Sequence, residues 1–379
     1  MKRILLTLCL IPLFFSLFAF GAEAADSGSI VRQQMQQSGA AGLYQKAPDS
    51  AKQSLGNLEL TEPDTGGLSK FTPAGVFHIL QQAAVSAAKR PIKSVVSVFG
   101  ILLVCALLGT LKNSFSEKSL QPVFDIVCAL CIAAAVLVPV TQCIADCAST
   151  MKQSSEFMTA FLPVFAALVT ASGHPASAAV FQGMLLAASQ LIAQIAATTF
   201  VPMVSIYLAF CVIGSVSPGI QISGIAGFFK TALNWALGAC LTVFVGILTV
   251  QSMISQAADT VTIKAAKFVV GSAVPVIGST ISDAINTVVS CANLLKTATG
   301  AYGIIVFAFA YLPVLLECLL WILAADVMLA ITEVLGVSNM AGLLRSIKYA
   351  LQVLTALVFS AALAMIISLS VMLMVGMGN

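Results

Sequence analysis

Five polar side chains, Asp283, Asn286, Ser290, Asn293 and Thr297, follow one another at spacings of 3, 4, 3 and 4 residues. That rhythm puts them on one face of a helix. Amides and hydroxyls of this kind carry no reaction. They offer a row of hydrogen-bonding groups, suited to lining an aqueous path or docking a neighbouring subunit. The plainer alternative is an amphipathic helix at the headgroup level, with Asp283 acting as a cap. Just upstream, Gly271, Pro275 and Gly278 break the apolar run. Bent backbone at membrane depth is tolerated only where protein or water satisfies it. Residues 258–299 are therefore expected to form two amphipathic helices joined by a Gly/Pro-bent turn, re-entrant or interfacial. Thr280 and Asp283 fit a capping box, and Gly300 is the expected stop.

The second candidate is a single carboxylate. Glu317 sits inside the apolar run 303–327, four residues after Pro313. An ionisable group within a span is a functional candidate by default. It could serve ion or proton coupling, or it could bond a neighbouring helix. Asp326 and Glu333 lie nearer the end of that run, and Asp125 lies at the start of another.

Other chemistry is thinly represented. The chain has two histidines, His78 and His174, and neither lies in a metalloprotease or Cys/His pattern. No nucleophile elbow or Walker loop is present, and GSVSPG at 214–219 reads as a loop. Ten cysteines invite a metal or disulfide reading. Most of them, Cys105, Cys128, Cys131, Cys211, Cys240 and Cys318 included, lie in apolar runs as small hydrophobes. Cys128-x-x-Cys131 has no second pair at zinc-finger spacing. Cys143 and Cys147 stand one helical turn apart, too strained for a mutual disulfide. The expectation is a protein that is not an enzyme, with no catalytic residue, cofactor or metal.

What must position these groups is a membrane body. Of 379 residues 59% are hydrophobic and 9% charged, against roughly 25% charged in soluble domains, and mean hydropathy is +1.02. The fold class is all-α: a polytopic helical integral membrane protein. Net charge is +3, and the one tight basic cluster, Lys89, Arg90 and Lys93, precedes a hydrophobic run. That favours a bilayer interface and argues against nucleic acid.

Residues 1–24 read as a signal peptide, with a basic start, an apolar stretch and cleavage between Ala24 and Ala25. Residues 25–91 form an exported polar region, holding a short helix near 30–42, extended linker, and an amphipathic helix from Pro73 to 89. Residues 92–379 are the transmembrane domain. Spans are expected at 94–111, 123–144, 157–171, 177–198, 200–216, 233–253, 303–327 and 350–374. With the N-terminal region outside, Lys112, Lys118, Lys230, Arg345 and Lys348 fall on the cytoplasmic side. Lys89, Arg90, Lys93, Lys264, Lys267 and Lys296 fall outside, against the positive-inside tendency.

The stretch GSAVPVIGSTISDAINTVVSCANLLKTATGAYGI at 271–304, together with the order of signal, exported region and polytopic body, resembles the stage III sporulation protein AE family of endospore-forming bacteria. The similarity runs from about residue 70 to the end. The resemblance implies a role in endospore formation, in the mother-cell membrane surrounding the forespore. It implies a channel or secretion complex needed for late forespore gene expression. The implied partners are a secretion-type ATPase, ring-forming proteins and a forespore membrane protein across the intermembrane space. Two alternatives stay open: a free-standing secondary transporter, which would need paired broken helices in matching halves, and a scaffold recruiting partners through residues 25–90.

Overall fold

The computed structural model describes residues 35–58, 60–63, 73–114, 121–216, 224–225, 227–229, 231–240, 242, 246, 278–335 and 341–374. The signal peptide with Ala24 and Ala25, the bend at Gly271 and Pro275, and the helix expected at 260–270 lie outside them. The described residues are helical, with no strand among them. The elements are α1 (Leu43–Lys46), α2 (Asp49–Asn57), α3 (Pro73–Ser114), α4 (Gln121–Ala171), α5 (Pro175–Ile195), α6 (Val201–Val216), α7 (Gly278–Val334) and α8 (Ala341–Met374).

Among the described residues, five stretches are long and apolar enough to cross a bilayer: Phe77–Leu107, Ile126–Ala171, Pro175–Gly214, Val289–Val334 and Ala341–Met374. Of the eight expected spans, 123–144 with 157–171 and 177–198 with 200–216 are joined in pairs, and much of 233–253 lies outside the described residues. The runs 123–144 and 157–171 both lie on α4, 51 residues without a break. At 1.5 Å per residue α4 is about 75 Å long, more than twice a hydrocarbon core of about 30 Å. The polar segment between the two runs is helix rather than loop. The runs 177–198 and 200–216 likewise join through a π-turn at Ala196–Phe200. Pro202 supplies the cause, since the wider turn relieves the clash that a proline ring makes with the carbonyl four residues back. The amphipathic helix expected at 73–89 and the first expected span are one helix, α3, carried through Pro91.

The second helix of the hairpin expected at 258–299 is longer than expected. α7 begins at Gly278, ahead of the capping box, and passes Gly300 without stopping. Gly300 is a packing position. A Cβ there would lie 2.6 Å from Leu373 Cδ1, and one at Gly303 would lie 2.6 Å from Phe161 Cζ. The absence of side chains at these two glycines lets α4 and α8 approach α7 closely, as small residues do between membrane helices. Lys296, expected at the outer surface, stands about five turns into α7 and is buried.

Directions follow from the contacts. Arg90 meets Asp146, and Cys105 is bonded to Cys128, so α3 and α4 are antiparallel. Phe157 packs edge-on against Phe307, and Gly300 faces Phe165, so α4 and α7 are antiparallel. Asp326 pairs with Lys348, and Gly303 faces Leu369, which makes α7 and α8 an antiparallel hairpin. Helix α7 packs against α8, α3, α4 and α2 and forms the axis of the bundle. The Cys105–Cys128 bond corrects the expectation of free thiols at both positions. The two Cα atoms are 6.4 Å apart, a distance that a disulfide spans and that only the pairing of two helices could reveal.

Residues 49–57, expected as extended linker, form α2, and residues 35–58 with Leu60 dock onto the bundle. Their apolar residues Met35, Ala40, Leu43, Ala47, Ala51, Leu55 and Leu60 are buried. Ser50 Oγ donates to the Ala310 carbonyl at 3.1 Å, and the Asp49 N–H donates to Gln153 Oε1 at 3.2 Å. A helix of nine residues is marginal alone, so this packing is what holds it. An aspartate at Leu55 would bury an unpaired charge. Leu55→Asp is therefore expected to undock this segment while the bundle stays inserted. Limited proteolysis should then cut between 58 and 72 at least tenfold faster than in the parent protein.

Candidate functional site

Where α4 turns from apolar to polar, three helices bring charges together. α3 supplies Arg90, α4 supplies Asp146 and α7 supplies Glu317. Arg90 Nη1 donates to Asp146 Oδ2 at 2.5 Å and to Glu317 Oε1 at 3.3 Å. Glu317 is the most enclosed, with its side chain 14% exposed, against 34% for Asp146 and 49% for Arg90. The carboxylate amid an apolar run is thus matched by a guanidinium from another helix, whose planar fork suits two carboxylates at once. Gln142 also donates to Asp146, at 3.0 Å.

Two prolines flank this centre. Pro91 follows Arg90 directly, and Pro313 lies one turn before Glu317. Each removes the N–H that would serve the carbonyl four residues back, loosening the helix ladder at the same level. The charges open onto a cavity of about 270 Å³, lined on one side by Ser50, Gln53 and Asn57 of α2 and on the other by Gln82, Arg90 and Glu317. Asn57 Nδ2 donates to Gln82 Oε1 at 3.3 Å across its rim. The docked N-terminal segment therefore forms one wall. The arrangement can hold water or a small polar group beside a paired carboxylate. It contains no nucleophile placed against a base.

The other sequence candidates lie elsewhere. On α7, Ser290 is exposed, Asn293 and Thr297 are half-buried, and Thr297 Oγ1 donates to the Asn293 carbonyl at 2.9 Å. Gly278 opens the helix. The side chains of Asp283 and Asn286 lie outside what is described. Asp326 is paired with Lys348, and Glu333 is exposed. His174 is buried in the turn between α4 and α5, after Gly173 at φ +97°, and His78 is exposed. Sequence reasoning missed Arg90 and Asp146 as partners of Glu317. A basic cluster before an apolar run reads as a membrane-interface signal, and Asp146 falls between two apolar runs. A usable sign was the proline beside each of Arg90 and Glu317. Cys143, Cys147 and Cys318 also converge, beside the charges.

A family model for stage III sporulation protein AE matches residues 59–376. The chain belongs to the stage III sporulation protein AE family. All five long apolar helices and the three charged residues fall inside the matched range. The stage III sporulation protein AE of Bacillus subtilis (strain 168) is 24% identical over 232 residues, which is 60% of this chain and 58% of that relative. The chain's match thus spans less than two thirds of the relative's length. No solved structure matches. The family assigns the chain a role in sporulation, its apolar helices mark a membrane protein, and neither match names a catalytic family.

Proposed function

We propose that this chain is a membrane-embedded component of the mother cell-to-forespore channel or secretion complex, needed for endospore formation and late forespore gene expression. The observation that carries the proposal is the family match across nearly the whole helical body. The bundle gives such a component its means. α3 keeps Val96, Phe99, Val104 and Leu107 exposed, an apolar surface for lipid or neighbouring helices. The C-terminus of α3 and the N-terminus of α8 lie at the same end, and the sequence there carries Lys112, Arg345 and Lys348. With an exported N-terminal region, that end is the cytoplasmic one.

In this account the chain is no enzyme and needs partners to supply energy: a secretion-type ATPase, ring-forming proteins, and a forespore membrane protein reached across the intermembrane space. It resides in the mother-cell membrane around the forespore. The stripe Asp283, Asn286, Ser290, Asn293 and Thr297 serves as the docking or conduit face, and Glu317 with Arg90 and Asp146 ties that helix to α3 and α4.

The secondary-transporter alternative keeps one observation in its favour, the cavity beside Glu317. Affinity purification of the tagged chain from cross-linked, sporulating cells separates the two. The channel account predicts co-purification of the ATPase and ring proteins in amounts comparable to the bait. A chain that purifies alone, and drives solute uptake in vesicles that Glu317→Gln abolishes, would establish the transporter instead.

A further inference from the structure

Three cysteine sulfurs meet between α4 and α7. Cys143 and Cys147, one turn apart, share a face of α4, and Cys318 reaches them from the antiparallel α7. Cys318 Sγ lies 3.8 Å from Cys143 Sγ and 3.6 Å from Cys147 Sγ, and all three sulfurs fall within 4.8 Å of one another. Each residue is at most 1% exposed. Trp321, fully buried, lies one turn further along α7. Three thiols from two rigid helices thus form a preorganised, water-excluded cluster that neither the charge centre nor the family assignment uses.

We infer that Cys143, Cys147 and Cys318 bind a zinc ion. Zinc–thiolate bonds of about 2.3 Å at tetrahedral angles put ligand sulfurs about 3.8 Å apart, close to the spacing from Cys318 to each of the other two. The donor set is all sulfur, and soft ligands of this kind select thiophilic cations over magnesium or calcium. Zinc(II) with three thiolates leaves one net negative charge, and copper(I) would leave two, so the apolar surroundings favour zinc. Binding replaces the three thiol protons, which pass to solvent. The Thr355 hydroxyl, on α8, lies beside Cys318 and donates to the Leu351 carbonyl at 2.7 Å. The ion would pin α4 to α7 next to the Arg90 centre.

The test uses the full chain purified in detergent under reducing, anaerobic conditions, loaded with zinc sulfate and desalted. Elemental analysis should give about one zinc per chain, as one site requires. Cys318→Ala, and Cys143→Ser with Cys147→Ser, should reduce it at least tenfold. Cys131→Ser, at an exposed cysteine outside the cluster, should leave it unchanged. Folding failure of a variant is bypassed on the parent protein. There, zinc should protect these three cysteines from alkylation, mapped by mass spectrometry, and a chelator should remove the protection. Zinc content near zero, zinc content unaffected by the cluster substitutions, or a disulfide joining Cys318 to Cys143 or Cys147 in the reduced preparation would each overturn the proposal.

Discussion

Gly303→Leu is expected to destabilise the packed bundle strongly. A Cβ at Gly303 already lies 2.6 Å and 2.7 Å from two atoms of the Phe161 ring, and 3.1 Å from Leu369 Cδ1. A leucine adds three further carbons in the same direction. The ring cannot swing aside. Phe161 is fully buried, stacked on Phe165 at 5.4 Å and tilted against Phe157 at 5.6 Å. The substitution must push α4 or α8 away from α7. Overpacking of this kind costs about 3 kcal/mol, the upper part of the usual range. In detergent, the cooperative thermal transition of the chain should be lowered by about 4 °C. Gly303→Ala should show a smaller loss. Combining Gly303→Leu with Phe161→Ala should recover part of the stability, because the clash and the cavity offset each other. A Gly303→Leu protein that melts like the parent would mean that α4 and α7 are not in contact there.

Arg90→Ala should be the most damaging single change at the charge centre. It removes the cation shared by Asp146 and Glu317 and leaves two carboxylates facing one gap. Exposed pairs contribute about 1 kcal/mol or less, and removing one partner of a buried pair costs about 3–5 kcal/mol. Arg90 is half exposed and Glu317 nearly enclosed, so about 2 kcal/mol is expected. Arg90→Lys keeps the charge but loses the fork that serves both acids, and should fall between parent and alanine. Arg90→Ala combined with Glu317→Gln should be more stable than Arg90→Ala alone, because the most buried charge is gone. Thermal unfolding of the parent and the three variants in one detergent checks the order. Equal melting temperatures for parent and Arg90→Ala would show that the three charges do not hold the helices together.

Much of the helical body was legible because apolar runs of about 20 residues specify membrane helices directly. Glu317 stood out for the same reason, as a charge against an apolar background. Connectivity was the illegible part. The residues 149–156 include Lys152, Gln153 and Glu156 and imitate a loop between two spans. In the structure they are mid-helix, with Lys152 and Glu156 exposed and paired i to i+4. Polarity alone cannot separate a loop from a helix whose middle meets water or a docked segment. Gly300 misled in a similar way, since glycine marks either a helix end or a close helix contact, and neighbours distant in sequence decide which. Arg90 and Glu317 stand 227 residues apart, and Asp146 and the three cysteines are drawn from the same distant segments, so their convergence depends on helix pairing that no local pattern encodes. The docked α2 was hidden because its Ala51 and Leu55 are two apolar positions in an otherwise polar stretch, enough to pack but too few to signal.

We propose that this membrane bundle acts in the channel that sustains late forespore gene expression. Deletion of its gene in the native host tests that most directly, with a late forespore reporter followed by microscopy through spore development. The account predicts engulfment followed by arrest with a silent reporter, restored by the parent gene supplied in the mother cell. Normal spores with an active reporter, or restoration only when the gene is expressed in the forespore, would contradict it.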